Sequence, residues 1–211
     1  MRTQFDQQLS ALSHRLIQMG SLCETVIDLA ARAVLMKQPE LAGEIPAHSA
    51  EIRQAARDAE GMCMRLFLQQ QPVAGDLRHI SAALKMVTDM QRIGDQAEDM
   101  AEIITVMKMT VMDDLKPIDE MAGEASAMVT ASVDAFVKKD ADLARQVIDR
   151  DEAVDRGFRQ VRSALIHRIA VEPDSGEEAL DLYMIAKYFE RIADHAVNIG
   201  QWVQYSVTGL K

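Results

Sequence analysis

Apolar residues recur along this chain at alternating spacings of three and four, interrupted by polar residues. This period places the apolar side chains on one face of a helix, and its regularity is typical of helices packed nearly parallel in a bundle. A short stripe of this kind comprises Ile52, Ala56, Ala59 and Cys63. Three longer stripes are Phe5, Leu9, Leu12, Leu16, Met19, Cys23, Val26, Ala30 and Ala33; Ile80, Ala83, Val87, Met90, Gly94, Ala97, Ala101 and Ile104; and Leu182, Ile185, Phe189, Ile192, Ala196, Ile199 and Val203.

Proline, glycine and small polar residues separate the stripes at points where helices are expected to end. Asp76 is placed to cap the helix that follows the second break, and Ser175 or Asp174 to cap the last helix. The pattern therefore predicts an all-α chain of long helices, and the repeat described next sets their number at six. The predicted breaks are Pro39 with 43–46, then 69–76, 113–119 and 171–178.

The second half of the pattern repeats the first. A shift of 102 residues places Met19 on Met121 and Ala33 on Ala135, and a shift of 99 places MQRIGDQAED (90–99) on FERIADHAVN (189–198). Each half then reads as three helices, so we predict two tandem three-helix bundles, residues 1–112 and 113–211. In this alignment Gln91 corresponds to Glu190, and Asp99 corresponds to Asn198.

The overall charge limits the kind of partner. The chain of 211 residues has a formal net charge of −10 and a pI near 5.0, and its basic residues are scattered, so a nucleic-acid groove is not expected. The polar start, MRTQFDQQLS, has no signal-peptide core, and no apolar run is long enough to span a bilayer. We expect a soluble cytoplasmic protein in which Cys23 and Cys63 are packed thiols.

Four acidic residues of the second repeat have the spacing of a shared site. Glu190 and Asp194 are four residues apart and lie on one helix face, as do Asp151 and Asp155 in the preceding helix. Asp151 also occupies a position of the apolar stripe, where a lone carboxylate is costly unless it finds a partner. Two facing pairs can form a cage of hard oxygen ligands for a divalent or trivalent cation.

Spacing alone leaves an alternative open, in which Arg150, Arg156 and Arg191 neutralise these acids as ordinary salt bridges. A carboxylate-bridged di-metal enzyme is a second alternative, but that chemistry usually pairs Glu ligands with Glu-x-x-His motifs, and none occurs in this chain. His195 lies about 100° around the helix from Asp194, so we expect it to make a polar contact outside the cage. A metal-independent structural bundle is the third alternative.

Three of the four acids are missing from the first repeat. Ser49 and Arg53 stand at the positions of the first acid pair, Gln91 stands at the position of Glu190, and only Asp95 remains. We therefore predict that the Arg53 guanidinium lies near Asp95, where the second repeat would hold a metal ion.

The third helix of the first repeat carries additional acids near Asp95. Asp95, Asp99 and Glu102 are a weaker candidate site for a cation, and a solvated acidic face that also includes Glu98 is the alternative reading. The residues of the first repeat therefore leave a metal there in doubt.

Taken together, LQQQPVAGDLRHISAALKMVTDMQRIGDQAEDMAEI (68–103) and LYMIAKYFERIADHAVNIGQ (182–201) resemble the PhoU family of phosphate-signalling regulators. The resemblance covers essentially the whole chain. It implies two three-helix bundles, often dimeric, without catalytic activity. It also implies binding of iron, zinc, manganese or magnesium through Glu/Asp-x-x-x-Asp motifs, which Asp151–Asp155 and Glu190–Asp194 match.

The same resemblance implies a negative regulator of the phosphate-starvation response. Such a protein would link the ATPase subunit of the phosphate ABC transporter to a membrane sensor histidine kinase, and it would meet the membrane only through these partners. We expect the exposed residues Arg78 and Arg92 to contribute to partner docking.

Overall fold

A computed structural model describes residues 2–70, 72–109 and 115–210 of the chain. In these segments the chain forms six long α-helices, a short one and a single 3-10 turn at Pro173–Ser175, with no strand. The predicted all-α class and six-helix count are confirmed. The helices are α1 (Arg2–Leu35), α2 (Pro39–Ala42, the short helix), α3 (Ile45–Gln70), α4 (Ala74–Val106), α5 (Lys116–Lys138), α6 (Ala141–Val171) and α7 (Gly176–Thr208).

Four breaks between helices lie near their predicted positions, but the break between α5 and α6 at 139–140 was not predicted, and two of the predicted caps are wrong. Helix α4 begins at Ala74, so Asp76 lies inside its first turn rather than capping it. Ser175 does precede α7, but its hydroxyl donates back to the Glu172 carbonyl at 2.6 Å and caps nothing. A side-chain cap forms instead at Asp140, whose carboxylate accepts from two backbone N–H groups at the start of α6.

Each repeat is a three-helix bundle, and the two bundles share one core. Helices α1, α3 and α4 pack together, as do α5, α6 and α7, while α1 also packs on α5 and α4 on α7. The stripe residues are almost all buried, and Cys23 and Cys63 are fully buried thiols, as predicted. Because the apolar faces continue from one bundle to the other, the core is continuous. The predicted boundary at 112/113 lies outside the described residues.

Helices α4 and α7 are the equivalent third helices of the two repeats, and they cross as an approximately symmetric antiparallel pair. At one end, Asp89 of α4 accepts a hydrogen bond from Asn198 of α7; at the other, Tyr188 of α7 lies close enough to Asp99 of α4 for that charge to raise the pKa of the tyrosine. The shift of 99 residues that relates the repeats converts the first contact into the second. The helix pair therefore has an approximate two-fold axis, which passes near Gly94 and its equivalent.

Candidate functional site

The four acidic residues predicted as metal ligands lie where α6 faces α7. Asp151 and Asp155 are on α6, and Glu190 and Asp194 are on α7, each pair spaced by one helical turn. Burial raises the pKa of Asp151 from 3.8 to about 6, and repulsion from the other three carboxylates adds to the rise. The other three carboxylates are thus close enough to Asp151 to oppose its ionisation.

Within this cluster, Asp151 has a buried oxygen that no hydrogen bond stabilises in the described part of the chain. Its Oδ1 atom is buried and accepts no hydrogen bond from any described residue. In the ionised carboxylate this oxygen lacks both hydration and a nearby donor, which is the condition that favours capture of a cation or a proton. The pKa of Asp194 is also raised, first by burial and then by repulsion from Glu190, while Lys187 and His195 act in the opposite direction.

Lys187 is the cation that reaches into the cluster. Its Nζ lies 2.6 Å from Oε1 and 2.5 Å from Oε2 of Glu190, one turn further along α7, and 5.2 Å from the centre of the Phe158 ring. The Glu190 side chain is only 14% exposed, so this pair is shielded from solvent. Asp155 has a weaker partner, since Arg159 is 3.9 Å away and both side chains are exposed.

The predicted salt-bridge alternative is wrong in its choice of partners. Arg150 binds Glu124 on α5 instead, at 2.5 and 3.1 Å. Arg156 lies 3.9 Å from Glu152 on its own helix, and Arg191 lies over the Tyr188 ring. Among the described residues, the lysine and arginine side chains that do lie near the acidic cluster are therefore Lys187 and, at its exposed edge, Arg159.

The four carboxylates are not positioned to chelate a metal ion in this conformation. Among the residues that the structure describes, no three Asp, Glu, His or Cys side chains converge closely enough to hold a metal ion. The donor chemistry nevertheless fits a hard cation, because carboxylate oxygens face one another and Asp151 Oδ1 has no partner. Binding a metal ion here would require side-chain movement, and Glu190 would have to leave Lys187.

In the first repeat Arg53 occupies the equivalent place. Its Nη1 atom lies 3.3 Å from Asp95 and 2.6 Å from Glu98, so one guanidinium from α3 bridges two carboxylates of α4. Ser49, also on α3, is buried and donates to the Gly94 carbonyl at 3.1 Å. The contact between Arg53 and Asp95 lies where the sequence places it, and the replacement of a metal by this cation stays a prediction. Sequence reasoning missed Glu98 as the closer partner, although it lies one turn after Asp95.

The three acids of the weaker candidate site lie on one side of α4 but have different neighbours. Asp95 faces Arg53, whereas Asp99 and the exposed Glu102 lie near Tyr188 of α7. Burial raises the pKa of Tyr188, and the Asp99 charge raises it further. The three acids therefore have different partners and do not form one cage.

A buried polar contact between the repeats was only partly foreseen. His195 does lie outside the acidic cluster, with Nδ1 at 3.0 Å from the buried Asp89 carboxylate, to which Asn198 also donates at 3.3 Å. This contact accounts for the sequence difference between Asp99 and its equivalent. An asparagine is needed where the partner is a carboxylate, and an aspartate suits the other end, where the partner is a tyrosine hydroxyl.

Beside this contact, α4 and α7 border an open groove of about 610 Å³ that includes Arg92, Gln96 and Arg191. Arg92 is exposed, as predicted. Arg78 is not: it is half-buried, its Nε is fully buried, and its guanidinium lies against Gly209 at the end of α7. Arg92 is thus the better candidate for a docking residue.

Comparison with known proteins gives a consistent result over the whole chain. A family model described as the PhoU domain matches residues 16–104 and again 118–203. A protein of Aquifex aeolicus, named phosphate-specific transport system accessory protein PhoU homolog, is 34% identical over 188 residues, which are 88% of this chain and 84% of that protein. A protein of the same name from Clostridium acetobutylicum is 30% identical over 97% of this chain and 94% of its own length.

The fold agrees with a solved structure. The crystal structure of PhoU from Pseudomonas aeruginosa superposes with a TM-score of 0.90 at 30% sequence identity, over 98% of this chain and all of that chain. In the described part of the chain, no helix is long and apolar enough to cross a membrane.

Proposed function

Because the chain belongs to the PhoU family of accessory proteins rather than enzymes, we propose that it regulates phosphate uptake and phosphate-starvation signalling as a cytoplasmic helical adaptor. The observation that carries this proposal is the match of both repeats, over nearly the full length of relatives named accessory proteins of phosphate-specific transport. The proposed partners are the ATPase subunit of the phosphate ABC transporter and a sensor histidine kinase, with a second copy of the chain as a homodimer.

A genetic experiment tests the regulatory role. Deletion of the gene in its own host should switch on a phosphate-starvation reporter in phosphate-replete medium, and expression of the chain from a plasmid should restore repression. A reporter that stays silent after the deletion would refute the proposal.

The partner proposal has a separate test on the α4–α7 face. Arg92→Glu should weaken co-purification of the transporter ATPase without changing the thermal melt, because Arg92 is exposed and has no ion pair among the described residues. Arg162→Glu is the matched control, since it makes the same charge reversal at an exposed position of α6. Equal capture by both variants would exclude Arg92 from the interface.

We also propose that a divalent or trivalent metal ion, such as iron, zinc, manganese or magnesium, is held by Asp151, Asp155, Glu190 and Asp194. The support is the unpartnered Asp151 oxygen and the mutual repulsion of the four carboxylates. A bound ion would supply positive charge that joins α6 to α7, and no chemical step is assigned to it.

Elemental mass spectrometry of protein purified without a chelating tag tests this site. The wild type should carry metal, and Asp151→Ala/Glu190→Ala should carry none. Asp95→Ala/Glu98→Ala is the matched control because it removes two carboxylates from the first repeat, and it should retain the metal. Absence of metal from all three proteins, after purification in each candidate metal, would establish a metal-independent bundle.

A further inference from the structure

Both repeats place a side-chain cation against the acidic face of their third helix, but they do so in different ways. In the first repeat, Arg53 reaches across from α3 and bridges Asp95 and Glu98. In the second, Lys187 reaches along α7 itself, and Glu190 is the one acid with which it forms an ion pair among the described residues. The ion pairs of Arg53 thus join two helices, whereas the ion pair of Lys187 joins two turns of one helix.

The cation neutralises a smaller share of the negative charge in the second cluster than in the first. The first sets one guanidinium against two carboxylates. The second sets the Lys187 ammonium against four, with Arg159 only 3.9 Å from one of them at the exposed edge. Lys187 engages both oxygens of Glu190, and Asp151 Oδ1 has no hydrogen-bond partner among the described residues. The second cluster therefore keeps one acid fully occupied and retains an excess of negative charge.

The chemistry of the two cations makes one of them easier to displace. Arg53 donates to carboxylates on two different residues, and a guanidinium is suited to such fixed bridging. Lys187 is a compact ammonium on a flexible stem, its side chain is 32% exposed, and its other contact is the face of the Phe158 ring. Lys187 can swing into water and regain its hydration without moving either helix.

We propose that Lys187 is a tethered counter-ion that occupies Glu190 in the metal-free protein and yields it to a divalent cation. Lys187 thereby stabilises the empty cluster and lowers its affinity for metal. The inference rests on the metal site proposed above, because displacement has meaning only if a cation binds there. It assigns to one residue of this chain the control of how tightly that cation is held.

Titration calorimetry with Mn²⁺ on chelator-treated protein tests the competition. Lys187→Met keeps an unbranched chain over the Phe158 ring but removes the charge, so Kd should fall about tenfold, equivalent to about 1.4 kcal/mol. Lys138→Met is the matched control, because it removes the same charge from an exposed pair with Asp134, at 2.7 Å on α5. Its Kd should stay within about twofold of the wild type.

The outcomes separate the two proposals. Equal Kd values for the wild type and Lys187→Met would overturn the counter-ion role while leaving the metal site intact. No Mn²⁺ binding by the wild type or by either variant would overturn both proposals. A loss of affinity in Lys187→Met would also contradict the role, because it would make Lys187 a support of the bound state.

A second measurement, made on the wild type, does not depend on whether Lys187→Met folds. Nitrogen-15 spectra detect lysine ammonium groups held in shielded ion pairs, and the Lys187 signal is identified by its disappearance in Lys187→Arg, which keeps the charge. Addition of Zn²⁺ should weaken this signal through exchange with water as Lys187 is released. A signal that is unchanged while calorimetry records Zn²⁺ binding would overturn the proposal.

Discussion

Asp151→Asn should stabilise the metal-free protein at neutral pH, which is an unusual result for a substitution at a candidate site. The Asp151 carboxyl has its pKa raised from 3.8 to about 6 by burial and, to a smaller extent, by four neighbouring carboxylates. A carboxyl that holds its proton more tightly in the folded than in the unfolded state makes stability fall as pH rises from 3.8 through about 6. Above that window the whole penalty is present.

The penalty follows from the size of this rise. At 1.36 kcal/mol per pH unit, a change from 3.8 to about 6 corresponds to about 3 kcal/mol at pH 7.5 and to about 0.5 kcal/mol at pH 4. Because the Asp151 side chain is only partly buried, so that solvent screens its charge, and because the neighbouring carboxylates readjust, about 1–2 kcal/mol is the expected gain for Asp151→Asn at pH 7.5. The gain should nearly vanish at pH 4.

Urea unfolding followed by circular dichroism, in the presence of a chelator at pH 4 and pH 7.5, measures the free energy of unfolding of each protein. Asp149→Asn is the matched control, since it makes the same change at an exposed position of α6 and should be nearly neutral. A gain for Asp151→Asn that is equal at the two pH values, or absent at both, would refute the reasoning. In excess metal, Asp151→Asn should instead be less stable than the wild type, because the variant has lost a metal ligand.

Three further substitutions test other parts of the structure by urea unfolding. Arg53→Met should destabilise the chain by about 1 kcal/mol, less in high salt, because it leaves two half-buried carboxylates unneutralised; an unchanged midpoint would contradict this. Asn198→Asp should cost about 1–2 kcal/mol at pH 8 and less at pH 5, since it sets a second carboxylate against the buried Asp89; equal loss at both values would argue against charge repulsion. Gly123→Ala should raise the free energy of unfolding by about 0.5–1 kcal/mol, because its new methyl group meets nothing within 4 Å. Gly200→Ala should raise it less or lower it, because its Cβ would lie 3.1 Å from a backbone carbonyl oxygen. Equal effects of the two glycine substitutions would contradict the packing argument.

The sequence by itself determined the helices, the repeat and the faces that carry charge. These features depend on local periodicity: apolar residues three and four apart define a helix face, and acids four apart must share one. Once the repeats are aligned, the same logic places Arg53 beside Asp95, since both stand at positions equivalent to acids that face each other in the second repeat. The family assignment rests on the same residues, read over the full length of the chain.

Only the tertiary structure decided which cation meets which acid. Arg150, Arg156 and Arg191 are as near as Lys187 to the acidic cluster along the chain, yet only Lys187 bonds it, because the rotation of each helix about its axis directs the three arginines elsewhere. Sequence spacing does not specify that rotation between helices.

The contact of Asp89 with His195 and Asn198 was likewise decided by tertiary packing. These residues lie about a hundred positions apart and meet because α4 and α7 cross antiparallel within a shared core. The pairing depends on the relative placement of two bundles, which is set by the summed packing of their apolar faces. No local pattern in either helix encodes it.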